Sequence, residues 1–255
     1  MRDLNGKIAW ITGAGTGIGA SGAEKLAAAG CKLVLSGRRA DPLEQTADSI
    51  RAAGGEVRIE LLDVSDKKAV ATVAGRILEQ HGTIDILINN AGINVPKRHW
   101  NDVSHADWDA VINIDLNGAF YCTQAVLPGM RAQGEGLVIN VSSWAGVRVS
   151  YLTGPAYTAA KHAMNAMTES LNMEECINGI RACAVCPGEV STPIMDKRPV
   201  PMSAADRSRM VQPEDLGDTL LFVASLPAHV CINELVISPT WNRGYVKYHE
   251  QIGPE

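Results

Sequence analysis

Lys7-Ile8-Ala9-Trp10-Ile11-Thr12 runs straight into Gly13-Ala14-Gly15-Thr16-Gly17-Ile18-Gly19, and then into Ala20 to Ala29, a stretch of good helix formers. A short apolar run bounded by glycines predicts a buried strand, and the segment after the turn predicts a helix. Strand, glycine turn and helix in that order is the context a dinucleotide phosphate site requires. Glycine admits positive φ and lets the backbone come close to a pyrophosphate. The free N–H groups and the dipole of the following helix then hold the anion. The alternative is a glycine-rich turn that only joins two elements. Its position at the head of a regular alternation of strands and helices favours the phosphate site.

That alternation continues. Lys32 to Ser36, Glu56 to Leu62, Ile84 to Asn89, Leu137 to Val141, Ile180 to Cys186 and Glu234 to Ile237 read as further strands, seven with the first. Between them lie helical stretches at Pro42 to Ala53, Asp66 to Gln80, Trp108 to Gln133 and Gly154 to Cys176. Ser104-His105-Ala106-Asp107 is a variant capping box, and the helix after it should bend or break near Leu116 to Gly118. Strands alternating with helices imply an α/β fold, a doubly wound Rossmann-type parallel sheet of seven strands with helices on both faces. The chain shows no linker-like shift, repeat or low-complexity tract, so residues 1–255 read as a single domain. Within it, Glu189 to Met210, with prolines 193, 199 and 201, reads as a long loop covering a substrate, and about 241–255 as a C-terminal tail.

Composition narrows the function. The chain has 255 residues, 46% of them hydrophobic, and a net charge of −5 without blocks of one sign. A nucleic-acid partner would favour a basic surface, so none is expected. No apolar run is long enough to span a bilayer, and Met1 to Gly6 has no signal core, so no membrane partner is expected. Of the six cysteines, Cys183 and Cys186 have Cys-x-x-Cys spacing but sit inside an apolar strand. Buried reduced thiols fit better there than a redox or zinc pair. A cytoplasmic protein without a metal site is expected.

In such sheets the ligand lies beyond the carboxyl ends of the strands. NAD-preferring proteins usually place an acid after the second strand, against the ribose hydroxyls. Here the sequence is Ser36-Gly37-Arg38-Arg39. Gly37 removes the acid, and Arg38 and Arg39 suit a 2′-phosphate; the alternative is two solvated arginines in a turn. NADP(H) is therefore the expected cofactor, with NAD(H) possible. Asp63-Val64 after the third strand suits an adenine. Asn89-Asn90-Ala91-Gly92 after the fourth allows close backbone approach, although asparagines there can simply tie neighbouring strands together.

Tyr157 and Lys161 lie four apart in a predicted helix, so both project from one face. A phenol has a free pKa of about 10, and a neighbouring ammonium favours its phenolate. Ser142 and Ser143 end the fifth strand, where a hydroxyl can bond a substrate oxygen. Alone, a Tyr and a Lys at this spacing are commonly a surface pair. At the same end of the sheet as the glycine turn, they suggest proton transfer.

Over nearly its whole length the chain resembles the short-chain dehydrogenase/reductase family. The resemblance rests on Thr12-Gly13-x-x-x-Gly17-x-Gly19, Asn89-Asn90-Ala91-Gly92, the Ser143 region, Tyr157-x-x-x-Lys161 and Pro187-Gly188. It implies Tyr157 as general acid/base, Ser143 as the group polarising the carbonyl, and Lys161 as a bond to the nicotinamide ribose that also lowers the Tyr157 pKa. It implies that Gly13, Thr16, Gly17, Ile18, Gly19, Asn90, Ala91 and Gly92 line the dinucleotide. Pro187-Gly188-Glu189-Val190-Ser191-Thr192 would clamp the carboxamide through Val190 and Thr192. Two departures stand out. Asp115 occupies the place where the family usually has an Asn supporting a proton relay from the lysine. The segment between Ser143 and Tyr157 is one residue longer than usual. The C-terminal stretch Ser225 to Thr240 is similar to the branch containing the NADP-dependent 3-hydroxy acid dehydrogenases.

The function these features favour is a reversible NADP(H)-dependent alcohol dehydrogenase or carbonyl reductase acting on a small molecule. A dinucleotide-binding regulator without turnover is one alternative, and a lyase or epimerase using the same tyrosine is another. Trp144, Arg148, Tyr151 and Asn94 are candidate substrate contacts. Lys97, Arg98, His99 and Arg148 make the surrounding loops basic, which suits an acidic substrate or, equally simply, a solvated surface. The resemblance also implies a homotetramer or dimer. Ala119, Cys122, Val126, Met164, Met167 and Leu171 would face a partner, and the aromatic tail Trp241 to Tyr248 would lie on a neighbouring subunit.

Overall fold

A computed structural model describes residues 1–198 and 202–252. Pro199, Pro201 and the tail beyond residue 252 lie outside the described residues. The strands are β1 (Ile8–Thr12), β2 (Lys32–Gly37), β3 (Val57–Leu61), β4 (Ile86–Asn89), β5 (Gly136–Val141), β6 (Ile180–Pro187) and β7 (Glu234–Ile237). They form one sheet in the order β3-β2-β1-β4-β5-β6-β7, parallel throughout. A parallel sheet buries both faces, and the residues of β1, β4, β5 and β6 are buried along their whole length. The strand order reverses between β1 and β4, which opens a crevice at their carboxyl ends.

One face is covered by α1 (Gly17–Ala28), α2 (Ala40–Ala52) and α8 (Pro213–Ala224), which follows the short α7 (Ala204–Ser208), the other by α3 (Lys67–His81), α5 (Gly118–Gln133) and α6 (Gly154–Glu175). Leu26, Leu43 and Leu220 meet Ile11, Leu33 and Ile88 on the first side. Ile77, Val126 and Met130 meet Trp10, Leu87 and Val138 on the second. Trp10 is fully buried, and its indole N–H donates to Ser36 Oγ at 2.9 Å, so no polar group is stranded.

The expected break in the long helix is a change of winding. α4 (His105–Ile112) passes into a π-helical turn, Asn113–Asn117, before α5 begins. Ser104 caps α4 by accepting the Asp107 N–H at 3.0 Å. α8 escaped the sequence reading, although Gln212, Pro213 and Asp215 form a capping box with proline in the first turn.

The partner-facing expectation needs correction. Ala119, Cys122, Val126 and Met164 are buried within the protomer. The three on α5 recur at intervals of three and four, which turns them toward the sheet. Met167 and Leu171 are half-buried. The tail forms α9 (Arg243–Ile252), with Tyr245 edge-on to Trp144 at 5.7 Å and Arg209 over Trp241 at 4.9 Å. Cys183 and Cys186 are buried, and burial pushes the Cys183 thiol up to about 12, as suits a core residue.

Candidate active site

A cleft of about 350 Å3 runs along the carboxyl ends of the strands. Its floor is the turn after β1. Gly13 (φ +65°) and Gly17 (φ +59°) hold backbone conformations that side chains resist, and a Cβ on Gly13 would lie 2.9 Å from Ala91 Cα. Thr16 is the N-cap of α1 but makes no side-chain cap, and the first turn holds no acid. The N–H groups of that turn are left for a ligand in the cleft, as a pyrophosphate needs. The donor set therefore fits a dinucleotide. Thr16, Gly17 and Ile18 line the cleft, whereas Gly19 packs behind it, against Asn90 and Gly13.

Gly37, Arg38, Arg39, Asp63 and Val64 form one end of the cleft. Arg38 is largely exposed, 4.0 Å from Asp63. Ala91 and Gly92 line the centre, with Pro187, Gly188, Val190 and Thr192 opposite. Asn90 also lines it, but its amide donates to Thr12 and Gly13 carbonyls at 3.1 and 3.0 Å. Asn89 donates to Asn140 at 2.8 Å. Both asparagines therefore tie elements together, the simpler of the two readings; Asn90 shapes the cleft by holding the glycine turn.

Ser143, from the end of β5, and Tyr157 and Lys161, from α6, share the other part of the cleft. The ammonium of Lys161 lies 5.5 Å from the Tyr157 ring centre and donates to the Val141 carbonyl at 3.0 Å. It also faces Asp115 Oδ2 at 3.6 Å. Asp115 comes from the π-helical turn, is fully buried, and accepts the Ile93 N–H at 2.8 Å through its other oxygen. An extra residue per turn re-aims side chains, and such bulges recur at functional sites. Burial raises the Asp115 pKa to about 6, against the pull of Lys161 and the Ile93 N–H.

Tyr157 keeps part of its surface in the cleft, yet the dense protein around it raises its pKa. Lys161 opposes that rise, Asp115 adds to it, and Ser143 and Arg98 oppose it. The ammonium thus acts in the expected direction, but desolvation exceeds it.

Candidate substrate contacts divide. Asn94 lines the cleft, although its amide donates to the Thr153 carbonyl at 3.1 Å. Trp144 packs on Tyr245, Tyr151 stacks on His99 and is 83% exposed, and Arg148 is exposed; none of the three lines the cleft. Leu152, Thr153, Arg98, Ile194, Met195 and Arg198 line it instead. From the segment after β6, Pro193, Ile194 and Met195, in a 3-10 turn at Pro193–Lys197, line the cleft. Arg98 was visible in the sequence only as one basic residue among several, because nothing local shows that it turns inward.

Comparison with known proteins identifies the family. An uncharacterized oxidoreductase of Staphylococcus saprophyticus is 33% identical over 94% of this chain and all of its own. A metagenomic short-chain oxidoreductase, solved in complex with NADP, superposes with a TM-score of 0.82 at 32% identity, over 94% of this chain and 100% of its own. An alcohol dehydrogenase from the archaeon Thermococcus sibiricus, complexed with 5-hydroxy-NADP, gives 0.84 at 28% identity, over 93% and 98%. The short chain dehydrogenase family model matches residues 7–201, and this chain is a member of that family, an oxidoreductase of the nicotinamide-dinucleotide type.

Proposed function

We propose that the protein interconverts an alcohol with a ketone or aldehyde, using NADP(H). The observation that carries this reading is the convergence of Ser143, Tyr157 and Lys161 on one cleft with the glycine turn. The N–H groups at Thr16 to Ile18 would hold the pyrophosphate, Arg38 and Arg39 the 2′-phosphate, and Val190 and Thr192 the carboxamide. The dinucleotide, when bound, supplies or accepts the hydride. Tyr157 gives its phenolic proton to the oxygen that gains charge as the carbonyl is reduced, and Ser143 Oγ donates a hydrogen bond to the same oxygen. One hydride and one proton added to the carbonyl give the alcohol. In reverse, the phenolate takes the hydroxyl proton. Lys161 stabilises that phenolate and would hold a ribose hydroxyl. The six cysteines are unpaired, which supports a reducing, cytoplasmic setting. No described helix is long and apolar enough to cross a membrane.

A panel of carbonyls and alcohols with both cofactors tests this. General acid catalysis contributes at least about 100-fold, so Tyr157→Phe should lower turnover by that much while leaving NADPH binding and the circular dichroism spectrum intact. Near-normal turnover in this variant overturns the mechanism. Tight NADPH binding with no turnover on any carbonyl would favour a regulator instead. Arg38→Asp should reverse the cofactor preference, since a charge-assisted bond to phosphate is worth roughly 1.5–3 kcal/mol; equal kcat/KM with both cofactors in the unaltered protein sinks that assignment.

A further inference from the structure

The segment that leaves the end of β6 faces two ways. Gly188, Val190 and Thr192 line the cleft, and Glu189, between them, does not. Extended chain alternates its side chains, so the geometry that turns its neighbours in turns Glu189 out. There it meets the start of α9. Arg243 donates to both carboxylate oxygens, from Nε to Oε2 at 2.8 Å and from a terminal nitrogen to Oε1. Arg198 donates to the same Oε1 at 2.7 Å. The side chains of Glu189 and Arg198 are each 19% exposed and that of Arg243 31%, so water screens the cluster only in part. Burial works against the Glu189 charge, yet the bonds from Arg243 and Arg198 outweigh it and hold its carboxyl below the usual range. Isolated surface ion pairs contribute little, but a two-bond fork of guanidinium on carboxylate fixes direction as well as distance.

The backbone on either side of the fork is anchored. The Gly188 N–H donates to the Ile237 carbonyl at 2.7 Å, where the segment parts from β7. Beyond that point it is tied to Val211: the Ser191 N–H donates to the Val211 carbonyl at 2.9 Å, and the Val211 N–H to the Glu189 carbonyl at 3.1 Å. On the other side, Asn242 is 5% exposed, and its carbonyl accepts the Tyr245 and Val246 N–H groups at 2.9 Å, which starts α9. Arg209 lies over Trp241, and Tyr245 packs edge-on against Trp144, the neighbour of Ser143. Residues 241–245 thus touch the segment that would hold the carboxamide, the segment that carries Ser143, and Arg209 just before Val211, without lining the cleft themselves.

Resting on the cofactor placement proposed above, we infer that Arg243 is a positioning residue for the nicotinamide end of the cleft. Through its fork on Glu189 it holds Val190 and Thr192 where the carboxamide would bind. Through Tyr245 on Trp144 the same helix start keeps that clamp at a fixed spacing from Ser143. The adenosine end is built from other residues, Gly37, Arg38, Arg39, Asp63 and Val64, and does not depend on the fork. Losing the fork therefore weakens the hold on the part of the dinucleotide that carries the hydride and spares the part that carries the 2′-phosphate.

Calorimetry on the whole protein with two ligands reads this directly: NADPH, and adenosine 2′,5′-bisphosphate, which has the 2′-phosphate and no nicotinamide. In Arg243→Gln the Kd of NADPH should rise by about fivefold or more, the scale of coupling within one contact network, while that of the bisphosphate stays unchanged. Arg38→Asp should weaken both. Glu189→Gln should reproduce the Arg243→Gln pattern, and the double variant should be little worse than either, because each removes the same fork. Arg243→Lys, a cation without the fork, should recover part of the loss. Amide exchange at Ser191 and Val211 should quicken in Arg243→Gln, and exchange in β1 and β4 should not. Should NADH bind more tightly than NADPH, NADH against AMP reads the same contrast, and only the 2′-phosphate assignment fails. A protein that shows the contrast and reduces no carbonyl keeps the positioning role and loses the reductase reading. An equal loss of both ligands in Arg243→Gln marks a general loosening of the fold and overturns the role. Unchanged NADPH affinity does so too, as do additive losses in the double variant, which show that the two side chains act apart.

Discussion

Asp115 is the residue at which this chain departs most from expectation, and its environment says what the departure does. A carboxylate with no water around it is costly to ionise, and burial raises its pKa from 3.8 to about 6. An acid raised in this way binds its proton more tightly folded than unfolded. Its contribution to stability is greatest below about pH 4, falls as pH rises from near 4 to near 6, and stays low above that. An asparagine keeps an acceptor for the Ile93 N–H without the ionisation. Asp115→Asn should therefore flatten the dependence of Tm on pH across this window. It should also move the chemistry. The Asp115 charge raises the Tyr157 pKa, so removing it lowers that pKa. Alcohol oxidation needs the phenolate and carbonyl reduction needs the phenol. The acid limb of the oxidation profile and the alkaline limb of the reduction profile should both shift to lower pH. Superimposable pH–rate profiles for the two proteins would show that Asp115 only fills space.

Elements were legible where the local signal and the tertiary demand agree. Each strand was found within about two residues, because apolar runs between turn residues are what a sheet buried on both faces selects. The segment after β6 reads from its prolines as a loop, yet it carries a 3-10 turn at Pro193–Lys197 and a short helix at Ala204–Ser208, and its contacts were not legible. Which of Arg98, Arg148 and Tyr151 turns inward depends on Gly154, where a Cβ would lie 2.0 Å from the Arg98 carbonyl oxygen, and on a backbone path that no periodicity encodes. The π-helical turn was visible only as a break; the contacts that Asp115 makes from it, with Ile93 and Lys161, are long-range and leave no local periodicity. The glycines separate the two kinds of signal. In the turn after β1, a Cβ on Gly19 would sit 2.4 Å from Asn90 Nδ2 and 2.5 Å from the Gly13 carbonyl oxygen. Gly19→Ala must push apart the start of α1 and the loop after β4, so it should cost about 1–3 kcal/mol as overpacking does and weaken NADPH binding. Gly75, inside α3, has nothing within 4 Å of the same added atom. Gly75→Ala should instead stabilise by about 0.5–1 kcal/mol through helix propensity alone. Thermal unfolding of both variants measures the contrast; a Gly19→Ala protein as stable as Gly75→Ala would mean that the turn is not held as described.

At the scale of the molecule, exposed apolar side chains occur at the cleft, where Leu152 and Ile194 line it, and also away from it. Phe120, on the outer face of α5, is 45% exposed in a shallow hollow beside Ala71 and Gln124. At the other side, β7 pairs only with β6 among the described residues and leaves an open strand edge, with Val236 48% exposed and Phe222 of α8 45% exposed. An open edge beside apolar side chains invites pairing with another chain unless something covers it. Two separate patches, each able to meet its own copy about a two-fold axis, generate a tetramer, whereas one patch generates only a dimer. We therefore expect a homotetramer assembled through the α5 face and the β7 edge, with different contact residues from those the sequence suggested. Light scattering at micromolar concentration should give four times the chain mass. Phe120→Glu and Val236→Lys should each reduce this to a dimer, since either removes one patch and spares the other, and the double variant should be monomeric. A monomer for the unaltered chain refutes the assembly. A dimer that only one of the two substitutions dissociates would assign the single interface to that patch and leave the second as ordinary solvent-facing surface.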